Sequence, residues 1–183
     1  MISHGHMTLQ AYLARPETNH IVELVGGECI EHTIYDIHQA TLGRVFNMLY
    51  CSQELNKGTL RIAPTGVYFD DNNFYEPDIF WVSPTNTQCF LRPDGYYWQG
   101  APDLVVEVFS PGTARHDKQT KFRIYQKHGV REYWMADPTE EYVEVWRLID
   151  GQFGLIGVFG ADETFESQFL VGQPVVVSGF FGE

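Results

Sequence analysis

The chain has 183 residues, 44% of them hydrophobic and 15% aromatic, and carries a net charge of −12. That length suits one domain spanning 1–183 with a core of its own, and the lack of Ser/Pro-rich tracts, charge blocks or repeats excludes extensive disorder and solenoid architectures. The longest apolar runs, Leu104–Val106 and Val175–Val177, fall far short of the roughly 20 residues of a membrane span.

Cys29, Cys51 and Cys89 are widely spaced with no CxxC, which favours buried free thiols in a reducing cytoplasm over disulfides or structural zinc. Residues 1–6 have no basic segment followed by an apolar one and are expected to be a flexible leader. The acidic balance counts against nucleic-acid binding, because a protein that grips phosphates needs a basic footprint. Local placement of Lys and Arg decides that question, and carboxylates that hold metal inflate the acidic total.

In chain order, Met7–Arg15 is expected to form a short helix, with Leu9, Tyr12 and Leu13 on one face and Pro16 past its end. Ile21–Val25 and Glu28–Ile30 flank Gly26-Gly27, the composition of a tight hairpin. From His38 to about Leu55, Leu42, Val45, Phe46, Leu49 and Tyr50 recur at helical spacing, and Lys57-Gly58 is the expected stop. Leu60–Ala63 together with Gly66–Phe69 predicts one strand ending at the turn Asp70–Asn73. Tyr75–Val82 predicts another, with Pro77 near its start, where a missing N–H is tolerated.

Thr85–Gly100 is a connection rich in turn residues, leading to a strand over Ala101–Phe109. Ser110–Thr113 opens a helix to about His128, with Thr113 as its N-cap and Gly129 just past its end. Strands over Arg131–Ala136, Tyr142–Arg147 and Phe153–Phe159, separated by Asp137-Pro138 and Asp150-Gly151, make the last third mostly antiparallel.

Glu107 is the residue with most to say about chemistry. It is the one carboxylate in Leu104–Phe109, a run apolar on both faces, as in a strand buried on both sides. An ionised carboxylate there is costly unless it holds a metal, pairs with a base or shifts its pKa. Asp78 stands at the mouth of the apolar strand Ile79–Val82. If the two strands are neighbours, both carboxylates converge on one divalent cation of the Mg²⁺ type; otherwise Asp78 is a turn residue after Pro77.

Asp103 precedes Glu107 by four residues, about 13 Å at strand rise, and stays outside that group. Lys121 lies two turns into the following helix. It either reaches back to the site, to orient water or offset charge, or pairs with Asp117 on the surface. Glu23 alternates with Val22 and Leu24, and on the residues alone it is an exposed strand position. His38, at the start of the long helix, is either a phosphate contact or structural.

Taken together, Pro77-Asp78, Pro102–Glu107, Ser110-Pro111, Asp117, Lys121, Tyr125, Gly129-Val130, Glu132–Trp134 and Asp137-Pro138 resemble the bacterial putative restriction endonuclease family of the PD-(D/E)XK superfamily. Met7-Thr8, Glu23–Glu28 and His38-Gln39 extend the likeness over nearly the whole chain. The resemblance implies an α+β fold with a restriction endonuclease-like core, a mixed β-sheet flanked by helices and additional antiparallel hairpins.

It also implies a metal-binding Asp78 and Glu107 with Lys121 completing the site, Glu23 as a further acidic member, and Mg²⁺, or Mn²⁺ in its place, as cofactor. The activity implied is cleavage of DNA phosphodiester bonds by metal-activated water. Separately, the aromatic strands and the hairpin-rich last third point to a homodimer, which would present two sites to a duplex. One departure is plain: two residues after Glu107 stands Phe109, where the superfamily signature has lysine, so Lys121 must supply the cation from the helix. The alternative reading is a catalytically inactive, homodimeric interaction protein that keeps the nuclease fold. A serine hydrolase is unsupported, since no G-x-S-x-G elbow occurs.

Overall fold

The computed structural model describes residues 7–16, 21–32, 35–52, 55–109 and 114–182; side chains are described for these except 21, 32 and 114–118. In chain order the elements are α1 (Leu9–Leu13), β1 (Ile21–Val25), β2 (Glu28–His32), α2 (Asp36–Tyr50), a 3₁₀ turn (Leu55–Lys57), β3 (Thr59–Ile62), β4 (Val67–Asp70), β5 (Asn73–Tyr75) and β6 (Ile79–Val82). There follow β7 (Phe90–Leu91), β8 (Trp98–Gln99), β9 (Leu104–Val108), α3 (Ala114–His128), β10 (Glu132–Asp137), β11 (Tyr142–Ile149), β12 (Gln152–Gly160), β13 (Thr164–Phe165), β14 (Val175–Val176) and α4 (Ser178–Phe181). Among the described residues no helix is long and apolar enough to cross a membrane.

Two six-stranded sheets carry the fold, ordered β2-β1-β5-β4-β8-β7 and β12-β11-β10-β9-β6-β3. Both are mixed, because β4 runs parallel to β8 and β9 parallel to β10 while their other pairings are antiparallel. The parallel β9–β10 pair is joined through α3, since parallel neighbours need a crossover. Gly26 and Gly27 (φ 57° and 86°) close the β1–β2 hairpin, and Asp150 and Gly151 (φ 51° and 80°) close β11–β12, both with the two positive φ values of a type I′ turn.

Alternation along β9 sorts the core. Leu104, Val106 and Val108 enter an apolar cluster with Leu42, Val45 and Leu49 of α2 and Phe180 of α4. Val105, on the other face, joins Tyr125 of α3 and Val25, Val67 and Tyr75 of the first sheet. Helix α3 ends as its sequence suggests: Gly129 adopts φ 92° and the Val130 N–H returns to the Tyr125 carbonyl at 3.0 Å.

Several expectations are corrected. The single strand expected over Leu60–Phe69 is two, β3 and β4, in different sheets, because Pro64 interrupts the ladder and the chain changes layer there. Tyr75–Val82 likewise divides into the end of β5 and the whole of β6, with Glu76-Pro77-Asp78 crossing between sheets. Helix α2 stops at Tyr50, and Leu55, which extended the helical spacing in sequence, is buried instead by the 3₁₀ turn, where its carbonyl accepts the Trp81 indole N–H at 2.8 Å.

Helix α1 is the shorter Leu9–Leu13; Leu9 and Tyr12 pack with Phe74 while Leu13 is exposed. The connection Thr85–Gly100 contains β7 and β8. All three cysteines are free, but Cys29, on a sheet-edge strand, and Cys51, at the end of α2, are exposed; only Cys89 is buried. The expected leader 1–6, the Ser110–Thr113 helix start with its Thr113 cap, and the Asp117 side chain lie outside the described residues.

Candidate active site

Strand β9 is buried along its whole length, and Glu107 shares the face of Val105, so its carboxylate enters the layer that holds Tyr125 of α3. Two α3 side chains, one turn apart, meet it there. Lys121 Nζ lies 3.2 Å from Glu107 Oε2, and the Tyr125 hydroxyl donates to Oε1 at 2.6 Å. From the first sheet, Glu23 places Oε2 at 3.0 Å from the same Lys121 Nζ, while its Oε1 accepts the Glu76 N–H at 2.8 Å. Glu23, Lys121 and Glu107 are only 1%, 6% and 7% exposed. The surface position that alternation alone suggested for Glu23 is therefore corrected. Leu24 points to the outer cluster with Phe74, and its neighbours Glu23 and Val25 are turned inward.

Asp78 precedes β6, whose Ile79 pairs with Val106; continuing that register sets position 78 against position 107. Its Oδ2 accepts the Val108 N–H at 2.7 Å and lies 3.2 Å from His38 Nε2. The strands are neighbours, so the condition for Asp78 and Glu107 to share a site is met. Glu23, Glu107 and Lys121 are in direct contact, and Asp78 is joined to them through the backbone of β9.

Burial pushes the Glu107 carboxyl up, to about 8; the Lys121 ammonium opposes this, the Asp78 and Glu23 carboxylates add to it, and the Tyr125 hydroxyl opposes it. Burial and the neighbouring Glu107 raise the Tyr125 phenol well above its ordinary value, which keeps it a donor. The cluster thus holds two carboxylates on one ammonium, with the Asp78 carboxylate close enough to raise the Glu107 pKa.

The side chains fit a divalent cation. Asp78, just before β6, and Glu107, on the adjacent β9, offer hard oxygens, and because both Asp78 hydrogen bonds among the described residues fall on Oδ2, Oδ1 is open as a ligand atom. Among the described residues no group of three or more His, Cys, Asp or Glu side chains forms a cage. Mg²⁺ needs none, since it uses one or two carboxylates and completes its shell with water and phosphate oxygens.

Two other buried carboxylates are structural. Asp103 accepts from the Ser83 N–H and Asn86 Nδ2, both at 2.8 Å, and from Arg131 Nη1 at 3.1 Å, consistent with its place outside the group. Glu132 accepts from Trp134 Nε1, Ser167 Oγ, the Gln168 N–H and the Arg147 guanidinium, tying β10 to the C-terminal segment. The contacts that sequence reasoning missed are those of Tyr125 and His38. The i, i+4 spacing of Lys121 and Tyr125 was the available signal for the first; nothing in the sequence joins His38 to Asp78.

The sequence profile of the Uma2 family, described as putative restriction endonuclease, matches residues 9–175. Among solved structures, a putative nuclease belonging to DUF820 from Anabaena variabilis ATCC 29413 superposes with a TM-score of 0.79 over 96% of this chain and 97% of that one, at 19% identity. At that identity the likeness bears on the fold. No curated protein matches the sequence.

Proposed function

Because the chain belongs to the putative restriction endonuclease family, we propose that it is a divalent-metal-dependent endonuclease that hydrolyses DNA phosphodiester bonds at the Asp78/Glu107 site. The observation that carries this reading is the buried contact of Lys121 with Glu107, beside Asp78, on a strand otherwise apolar. Buried carboxylates gathered around one lysine are costly to fold, and the raised pKa of Glu107 is of the kind that clusters at functional sites; the donors of Glu132 tie β10 to the C-terminal segment instead.

Asp78 and Glu107 would hold Mg²⁺ or Mn²⁺. When bound, the ion supplies Lewis-acid polarisation of the phosphate and a water of lowered pKa. Tyr125 and Lys121 hold Glu107 from two sides, and Lys121, fixed by Glu23, keeps a positive charge at the site that offsets charge building on the phosphoryl oxygens or orients the attacking water. Water attack breaks one P–O ester bond and leaves a phosphate monoester and an alcohol. The reading is tested by incubating the protein with end-labelled duplex and single-stranded DNA in Mg²⁺, Mn²⁺ or EDTA. Cleavage in either metal that EDTA abolishes supports it, and intact DNA in every condition contradicts it.

A second reading rests on a different observation. The net charge of −12 suits DNA poorly, and the edge strand β12 has no charged residue and exposes Leu155, Ile156 and Val158. A non-catalytic homodimer joined along that edge would use these features. A stable dimer together with no cleavage favours this reading over the first.

A further inference from the structure

Resting on the nuclease reading above, we propose that His38 is a positioning residue for the cation site: donating from Nε2, its imidazole fixes the Asp78 carboxylate so that Oδ1 is the oxygen presented to metal. An ionised carboxylate only accepts, so the 3.2 Å contact between His38 Nε2 and Asp78 Oδ2 requires the hydrogen on Nε2. On the other side of the ring, the Gln39 side-chain amide stands 3.4 Å from Nδ1. The ring is thus held from both of its nitrogens.

Burial supports the positioning role, because His38 is 8% exposed in the first turn of α2, an element separate from β9 and from the segment before β6 that carry the carboxylates. Two donors, the His38 ring and the Val108 N–H, meet on the single atom Oδ2. Together they set the plane of the carboxylate. Without the imidazole one hydrogen bond remains, and Asp78 can turn about its terminal bond, so Oδ1 is no longer held. Because Nε2 is engaged with Asp78, His38 acts through that carboxylate, as partners of metal ligands commonly do.

The test is calorimetric titration of Mn²⁺ into the full chain as wild type, His38→Ala, His38→Leu and His38→Gln, with circular dichroism on each. The Gln amide restores a nitrogen donor near the Nε2 position, and Leu fills volume without one. Expected are a roughly 10- to 100-fold weaker affinity in the Ala and Leu variants and a return to within about threefold of wild type in the Gln variant, whatever their relative melting temperatures. Wild-type affinity in a folded Ala or Leu variant, or a Gln variant as weak as both, overturns the positioning role and leaves the nuclease reading standing. A wild type that binds no Mn²⁺ overturns both.

Discussion

Lys121 Nζ lies 3.0 Å from Glu23 Oε2, so one buried ion pair ties α3 to β1 of the first sheet while the same ammonium touches Glu107 of the second. Removing this cation leaves buried carboxylates facing one another. Breaking a buried pair from one side costs about 3–5 kcal/mol, and for a chain of this size each kcal/mol shifts the midpoint by roughly 2–4 °C. Lys121→Ala is therefore expected to melt about 6–20 °C below wild type in EDTA. Millimolar Mg²⁺ should recover more of that loss in the variant than it adds to wild type, as read by circular dichroism.

Tyr125→Phe removes a single oxygen and keeps the ring, which packs edge-on to Tyr75 and Tyr133. Glu107 Oε1 then loses its 2.6 Å donor inside the core. An unsatisfied buried acceptor costs about 1–3 kcal/mol. Urea denaturation should show a lower midpoint at an unchanged slope, and Mg²⁺ should bind more weakly because Glu107 is freer to turn.

The raised pKa of Glu107 has a signed consequence in the metal-free protein. Its folded value of about 8 lies above the ordinary 4.5, so between these limits the unfolded chain has lost the proton that the folded chain keeps. Stability associated with this group is fully present below about pH 4.5 and falls as pH rises to about 8. Glu107→Gln cannot titrate and should flatten that part of the profile, measured as denaturation midpoint against pH in EDTA. A profile with the same slope in both proteins would rule out Glu107 as its source.

Glu132 provides the contrast. It is fully buried, yet its donors come from the Trp134 indole, Ser167, Gln168 and Arg147. Glu132→Ala should cost about 3–5 kcal/mol in guanidinium denaturation. Mg²⁺ affinity of the fraction that remains folded should match wild type, since none of these groups touches Asp78 or Glu107.

Much of this organisation was legible in the residues. A lone carboxylate in Leu104–Val108 announced Glu107, and the Gly26-Gly27 and Asp150-Gly151 pairs announced their hairpins, because each depends on local chemistry. What local chemistry does not carry was missed. Glu23 lies in a strand whose two faces both meet apolar layers, one under α1 and one under α3, and alternation cannot tell an inward site from an outward surface. Pro64 and Pro77 sit where the chain changes sheet, yet a proline marks a break without saying that the next strand belongs elsewhere. The contact of His38 with Asp78 spans forty residues and two elements, so only the fold brings it about.

The central claim, that Asp78 and Glu107 make this chain a metal-dependent nuclease, is most directly tested by nicking of supercoiled plasmid in Mg²⁺. Wild type, Asp78→Ala and Glu107→Ala should be compared at equal concentration, with folding verified for each. The account predicts conversion to open circles by wild type and loss of at least a hundredfold in rate in both variants. Nicking by the variants at the wild-type rate, or none by wild type, would contradict it.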